Sequence, residues 1–432
     1  MKKITRPSEN ILSLMRADQP PVCAPVRQSV YCVETEAEDG TLLYNTLSGE
    51  MILLENGEWP AEYLTQQGFL VPEDSDEQSL CDNIRAALDL FGSTRSSGFD
   101  TYTILTTSDC NARCFYCYEL GCEKMTMSDD TAHQAADYIL RTSAEGPVKL
   151  RWFGGEPLFN SRAIDIICSS LNEAGKDFHS VMVSNGYLFD DDLIRKGTEL
   201  WKLENVQVTL DGTEDIYNRR KAFVDDRSGA FRRVTGNIGK FLAAGIKVQI
   251  RLNTDRANIN DLSELLDVLD KRYPDKTGLR VYVTPLFDAA MDEDAERRKA
   301  LFDGLRGLED KARAFGLAKP SPLPMGLKTN NCIADNNKQV VILPDGRLHS
   351  CEHFNENSSF GSMAENTPRA EAMPYWTQTY GKLLECGSCP LYPQCIRLLH
   401  CPDIDGSCYP EARQLKMDHL LTSMIDTYNK SK

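Results

Sequence analysis

Ten of the fifteen cysteines stand in two groups whose spacing suits metal chemistry. Cys110, Cys114 and Cys117 form a C-x3-C-x2-C triplet in the run CNARCFYCYE. Cys332, Cys351, Cys386, Cys389, Cys395, Cys401 and Cys408 form the second group, toward the C-terminus. Four thiolates close a [4Fe–4S] cube, whereas three leave one iron open to a ligand. The triplet thus predicts a cluster with an open iron, and the second group predicts one or two further clusters. Redox catalysis at iron follows from that asymmetry. For the second group alone zinc is the competing metal, since it favours tetrahedral cysteine sites and C-x2-C spacing. Cys23, Cys32, Cys81, Cys122 and Cys168 stand apart and read as buried or incidental thiols.

The chain that positions these groups has 432 residues, 41% hydrophobic and 26% charged, enough for two or three globular domains. Its formal net charge of −16 repels nucleic-acid phosphates and anionic membranes, so neither is an expected partner. No run approaches the roughly 18 apolar residues of a spanning helix. The opening MKKITRPSENILSLMRADQPP lacks the apolar stretch of a secretory signal. Many cysteines without an export signal argue for metal rather than disulfides and for a cytoplasmic location.

Residues 1–95 read as a small α+β unit. SVYCVETEAEDGTLLYNTLSGEMILL holds two strand-like runs that Ser48-Gly49 can turn, and EYLTQQGFLVPE and SLCDNIRAALDLF read as short helices. GSTRSSGFD (92–100) reads as a linker. Over 96–320 strand-like runs at 101–107, 148–153, 179–184, 205–210, 246–252 and 278–284 alternate with amphipathic helical patterns at 128–142, 161–174, 190–201, 230–244, 260–272 and 292–315. Six such βα units predict an α/β fold with a buried parallel sheet curling toward a barrel, its site at the carboxyl ends of the strands. Residues 321–432 form a Cys-rich, loop-rich tail, entered through the Pro-rich KPSPLPMGLKTNNC. Bound metal is expected to supply part of its folding energy.

The triplet directly follows the first of these strands, and there the chain resembles the radical SAM superfamily. The resemblance covers roughly residues 101–410 and implies a partial (β/α)6 barrel. It implies that Cys110, Cys114 and Cys117 hold a [4Fe–4S] cluster whose fourth iron is chelated by S-adenosylmethionine. Reduction of the sulfonium then releases a 5′-deoxyadenosyl radical that takes a hydrogen atom from substrate. Tyr116, before the last cysteine, falls where the family packs the adenine; simple loop packing is the alternative. Gly154-Gly155-Glu156-Pro157 follows the second strand and looks like the element that holds the methionine amino group. Ser184, Asp211 and Asn253, at the ends of the third, fourth and fifth strands, are candidates for the same pocket. Helix capping is their alternative role. Arg219, Arg220 and Arg251 are candidates for a carboxylate, with structural ion pairs as the alternative.

The tail resembles the SPASM extension of radical SAM enzymes, which carries auxiliary [4Fe–4S] clusters. By that resemblance Cys386, Cys389, Cys395 and Cys408 close one cube, and Cys332, Cys351 and Cys401 hold a second. Five residues separate Cys395 from Cys401 where the family often has three. No further cysteine stands near Cys332, so the inner cluster is expected to keep an iron open to water or a substrate thiolate.

SPASM members mostly modify peptides, and residues 1–95 look like a degenerate winged-helix element that binds leader peptides by adding a strand to a sheet edge. A structural cap over the barrel is the alternative for that unit. The leading expectation is a maturase that joins a cysteine sulfur to a peptide carbon as a thioether. Its partners are then a Cys-containing precursor peptide with a leader and an electron donor such as a flavodoxin or ferredoxin. Formylglycine formation by an anaerobic sulfatase maturase, epimerisation and carbon–carbon crosslinking stay open, as does a zinc-bound peptide-binding protein without catalysis. No residue is singled out as a general base.

Overall fold

The computed structural model describes all residues except 1, 7, 9–10, 12, 16–24, 56–60, 94–97, 226–227, 287–293, 330–337, 353–358, 365–383 and 396–407. Contacts divide them into two units. One gathers the described parts of Met1–Arg95, Pro320–Asp335 and Trp376–Lys432; the other gathers those of Ser96–Lys319 and Asn336–Tyr375. The chain passes between the units four times.

In the first unit β1 (Lys2–Lys3), β2 (Val26–Gln28), β3 (Cys32–Ala37), β4 (Gly40–Asn45) and β5 (Met51–Leu54) precede α1 (Ala61–Gln66), β6 (Leu70–Pro72) and α2 (Glu77–Ser93). Four strands pair antiparallel in the order β1-β5-β4-β3, which leaves β3 at an edge. The two expected strand runs are three strands, because the chain also turns between Ala37 and Gly40. Within EYLTQQGFLVPE the helix stops early. Gly68 takes φ +76°, and Leu70–Pro72 then pair with β2 as a strand. Helix α2 runs through Gly92 and Ser93, the start of the expected linker.

The second unit holds the six βα repeats. Its strands are β7 (Thr101–Thr107), β8 (Val148–Gly154), β9 (Phe178–Ser184), β10 (Leu203–Thr209), β11 (Lys247–Thr254) and β12 (Leu279–Pro285), all parallel and neighbours in sequence order. Three strands from the tail extend this sheet beside β7: β13 (Gln339–Ile342), β14 (Arg347–His349) and β15 (Ser359–Ser362).

The parallel strands bury only one face. Tyr102, Ile104, Leu150, Trp152, Val206, Val208, Val248 and Ile250 are fully enclosed in the main core cluster. The alternate residues Lys149, Arg151, Val181, Val183, Asn205, Gln207 and Gln249 are half-buried and line a cavity of about 480 Å3. An open sheet has no barrel partner to cover its concave wall, so that wall stays polar. No helix among the described residues is long and apolar enough to cross a membrane.

Candidate active site at the carboxyl ends of the strands

The cysteine triplet lies on the loop leaving β7. Cys110, Cys114 and Cys117 are half-buried. The Cys117 amide donates to the Cys114 carbonyl (3.1 Å), which closes a tight turn between the last two. The Cys110 sulfur accepts from the Ala112 amide (3.4 Å) and from Asn185 Nδ2 (3.7 Å). Burial, with Glu156 nearby, pushes the Cys110 thiol up to about 12, and burial also raises Cys117. Charge on Cys114 would raise both of its neighbours, so the three sulfurs sense one another. A bound metal reverses that penalty by displacing the protons.

The loop is clamped from two sides. The Arg113 amide donates to the Lys221 carbonyl (2.9 Å), and the Val224 amide donates to the Asn111 carbonyl (2.9 Å). Asn185 Nδ2 donates to Asn111 Oδ1 (2.6 Å). At the end of β8, Gly154 and Gly155 are required by the loop itself. A Cβ on either would stand 2.2 Å from the carbonyl oxygen of Thr107 or Asp109. The glycines expected to admit a ligand thus first admit the backbone that leads to Cys110.

Glu156 is fully buried. Its carboxylate accepts from Leu158 N (3.2 Å), Ser184 Oγ (2.9 and 3.1 Å) and Asn185 N (2.8 Å). Burial pushes it up to about 7 against those bonds. The side chain expected to hold an ammonium accepts these bonds from its neighbours. Its oxygens tie the end of β8 to the end of β9, and Ser184 is committed to the same tie.

Beyond β10 the picture differs. Tyr116 OH donates to Asp211 Oδ2, Lys221 Nζ donates to Tyr116 OH (2.7 Å), and Lys221 Nζ lies 3.2 Å from Asp211 Oδ2. Asn258 Nδ2 bonds both the Asp211 and Asn253 carbonyls (2.9 Å each), fixing the ends of β10 and β11 together. Asp211 Oδ1, Asn253 Oδ1, Asn111 Nδ2 and Tyr217 OH are buried with no partner. Buried polar atoms are usually paired, so these four are open to a hydrogen-bonding ligand.

Of the three arginines, Arg219 is exposed and Arg220 is paired with Asp255 (2.8 Å) over the Phe115 ring. Arg251 is half-buried with Nε unpartnered. The sequence reading missed Lys221, which ends a helix at Glu214–Lys221. The acidic residues Glu214 and Asp215 after Thr213 signal that helix start, but its sparse apolar residues hide it from a periodicity search.

The donor set and the orphaned atoms fit an iron–sulfur cluster with a hydrogen-bonding co-ligand. Among the described residues no three metal-binding side chains already converge on one point, so closing three iron–sulfur bonds takes side-chain rotation within the loop.

In the tail, Cys386, Cys389 and Cys395 are half-buried, Cys408 is exposed, and Cys389 senses charge on both Cys408 and Cys395. Cys351 is half-buried in the sheet unit and precedes Glu352, whose carboxylate lies 3.4 Å from Arg151 of the concave wall. Cys332 and Cys401 lie outside the described residues, as does Cys23. Cys32, Cys81 and Cys168 are buried and Cys122 is exposed.

Comparison with known proteins places these features. Residues 104–269 match the family model of the radical SAM superfamily. A GTP 3′,8-cyclase of Clostridium perfringens (strain SM101 / Type A) is 26% identical over 281 residues, 59% of this chain and 81% of that protein. The Fe-coproporphyrin III synthase of Methanosarcina barkeri is 23% identical over 165 residues, 38% of this chain and 39% of that protein. Among solved structures, native anSMEcpe with bound AdoMet and Cp18Cys peptide superposes with a TM-score of 0.58 at 16% identity, covering 77% of this chain and 99% of the other. Streptococcus suis SuiB bound to precursor peptide SuiA gives 0.52 at 12% identity, covering 89% and 96%. At such identities these two structures establish a shared fold.

Proposed function

We propose, from the premise that this chain is a radical SAM enzyme binding a [4Fe–4S] cluster and S-adenosylmethionine, that it matures a ribosomally made precursor peptide by joining a cysteine sulfur to a peptide carbon as a thioether. Cys110, Cys114 and Cys117 are the residues that hold the first cluster, and the orphaned atoms of Asp211 and Asn253 receive the cofactor's polar groups. Cys386, Cys389, Cys395 and Cys408 hold one auxiliary cluster, and Cys332, Cys351 and Cys401 hold the other. When bound, these groups supply the adenosyl radical and take the electron left over as the C–S bond forms.

The observation that carries the thioether reading is Cys351, one residue from the Arg151–Glu352 contact at the concave wall. A thiolate-binding metal held there would stand beside the chamber that a peptide segment enters. Peptide recognition is supported by the open edge of β3, to which a leader can add as a strand, and by the peptides in the anSMEcpe and SuiB structures. Reducing equivalents come from a small donor such as a flavodoxin or ferredoxin.

The test is anaerobic turnover with a Cys-containing precursor peptide, read by mass spectrometry after thiol alkylation. A thioether removes two hydrogens and one alkylatable thiol while keeping the sulfur. Loss of the cysteine sulfur would instead indicate formylglycine formation, and an unchanged mass with inverted stereochemistry would indicate epimerisation.

A further inference from the structure

The helix Glu214–Lys221 ends in an unusual way. Ala222, the residue after it, takes φ +46°, and among described non-glycine residues only Lys202 shares a positive φ. Left-handed backbone is sterically strained for a residue with a Cβ. The bend sends the Lys221 carbonyl to the Arg113 amide and, through Val224, a second backbone bond to Asn111. The same residue that clamps the cysteine loop from outside thus sends its side chain back into the strand-end floor.

There the Lys221 ammonium is nearly sealed, its side chain 6% exposed beside a carboxylate that is 0% exposed. It contacts Asp211 and the Tyr116 hydroxyl and lies over the Tyr116 ring at 5.4 Å. All its polar contacts fall on Asp211 Oδ2 and on the hydroxyl that also binds Oδ2. Oδ1 is left buried and unclaimed. Lys221 and Tyr116 therefore select which carboxylate oxygen is free and fix its direction.

We propose that Lys221 is a positioning residue for S-adenosylmethionine: it fixes the direction of the Asp211 side chain, with one oxygen reserved for the cofactor's hydroxyl or amino donors, and holds Tyr116 in place beside it. The residue acts through Asp211 and Tyr116, not by touching the cofactor. The inference rests on the radical SAM domain and is independent of which peptide is modified.

The test measures the equilibrium dissociation constant for S-adenosylmethionine by dialysis, without reductant, on the full chain after anaerobic reconstitution. Iron content is measured alongside. The dissociation constant does not depend on the fraction of chains loaded, so it separates a positioning role from a merely structural one. Lys221→Met is expected to weaken binding about 10-fold or more, because Asp211 Oδ2 loses its buried cationic partner and Oδ1 is no longer held in direction. Lys221→Arg, which keeps a cation, should recover most of that loss. Lower iron with an unchanged dissociation constant would overturn the proposal and leave Lys221 a scaffold residue. Should Lys221→Met fail to load iron at all, Tyr116→Phe decides: it keeps the ion pair and frees only the hydroxyl. Weaker binding by about 3-fold supports the proposal, and unchanged binding overturns it.

Discussion

The two cysteine groups are held by different means. The triplet loop leaves the middle of a nine-stranded sheet, is clamped by three backbone and amide bonds, and borders one large core. Among the described tail cysteines of the first unit, Cys386 lies in the 3-10 turn Leu384–Ser388 and Cys389 follows it, Cys395 follows the 3-10 turn Tyr392–Gln394, and Cys408 stands just before the helix Pro410–Lys430. Those turns are tied to α2 by Tyr392 OH donating to Asp82 (2.6 Å) and by Arg85 donating to the carbonyls of Tyr392 and Lys328 (3.1 Å each). The first loop is held by bonds to neighbouring strand ends, whereas the tail turns are held by these polar ties and by Leu391 and Tyr392, which are buried in two small core clusters with Cys386 and Cys389 packed against them. Geometry that needs no metal suits an open iron whose ligand must come and go.

That contrast is broken most directly at the triplet. Replacing Cys110, Cys114 and Cys117 together by alanine should abolish 5′-deoxyadenosine formation while leaving the melting temperature nearly unchanged, because the clamps are backbone bonds. A large drop in melting temperature would mean the loop is not preformed. The tail should respond in the opposite sense. Cys386→Ala or Cys408→Ala should lower iron content and crosslinked product and destabilise the first unit, while some uncoupled deoxyadenosine formation persists. Equal iron and equal stability would remove the auxiliary cluster from the account.

Arg85→Ala tests the polar ties without touching a cysteine. It removes a buried guanidinium that serves the carbonyls of Lys328, Tyr392 and Pro393 and stacks over the Tyr392 ring at 5.3 Å. The expected cost is about 2–4 kcal/mol in chemical denaturation of the apo chain. It should shrink once the tail is loaded, since bound metal then holds the turns. A cost independent of loading would show that the ties, not the metal, fix the tail.

Much of the sheet unit was legible because its signals are local. Each βα repeat carries a strand run and an amphipathic helix, and the triplet stands directly behind the first strand. The site was legible as positions but not as roles. Glu156 and Ser184 sit at strand ends as expected, yet they bond each other, and composition cannot tell a carboxylate that faces a ligand from one that faces a neighbouring strand. Lys221 was hidden in a charged run with no apolar period. The strands Gln339–Ile342, Arg347–His349 and Ser359–Ser362 were hidden by their brevity. The ties from α2 to Tyr392 span more than 300 residues, which no local pattern reports.

The smallest expected effect separates the two regions by pH. Glu156 titrates near 7 in the folded sheet unit because burial raises it from 4.5. Between those values the folded state binds more protons than the unfolded one, so stability falls as pH rises and levels off above 7. The full change is about 3 kcal/mol at most, by the usual 1.4 kcal/mol per unit. Hydrogen exchange in β7, β8 and β9 of the apo chain, corrected for its intrinsic pH dependence, should show more protection at pH 5 than at pH 8. Glu156→Gln should flatten that dependence at a constant cost of about 1–2 kcal/mol, since the amide keeps one acceptor but loses the bond from the Asn185 N–H. The tail turns should keep the same exchange at both pH values. A pH dependence that survives Glu156→Gln would place the titrating group elsewhere.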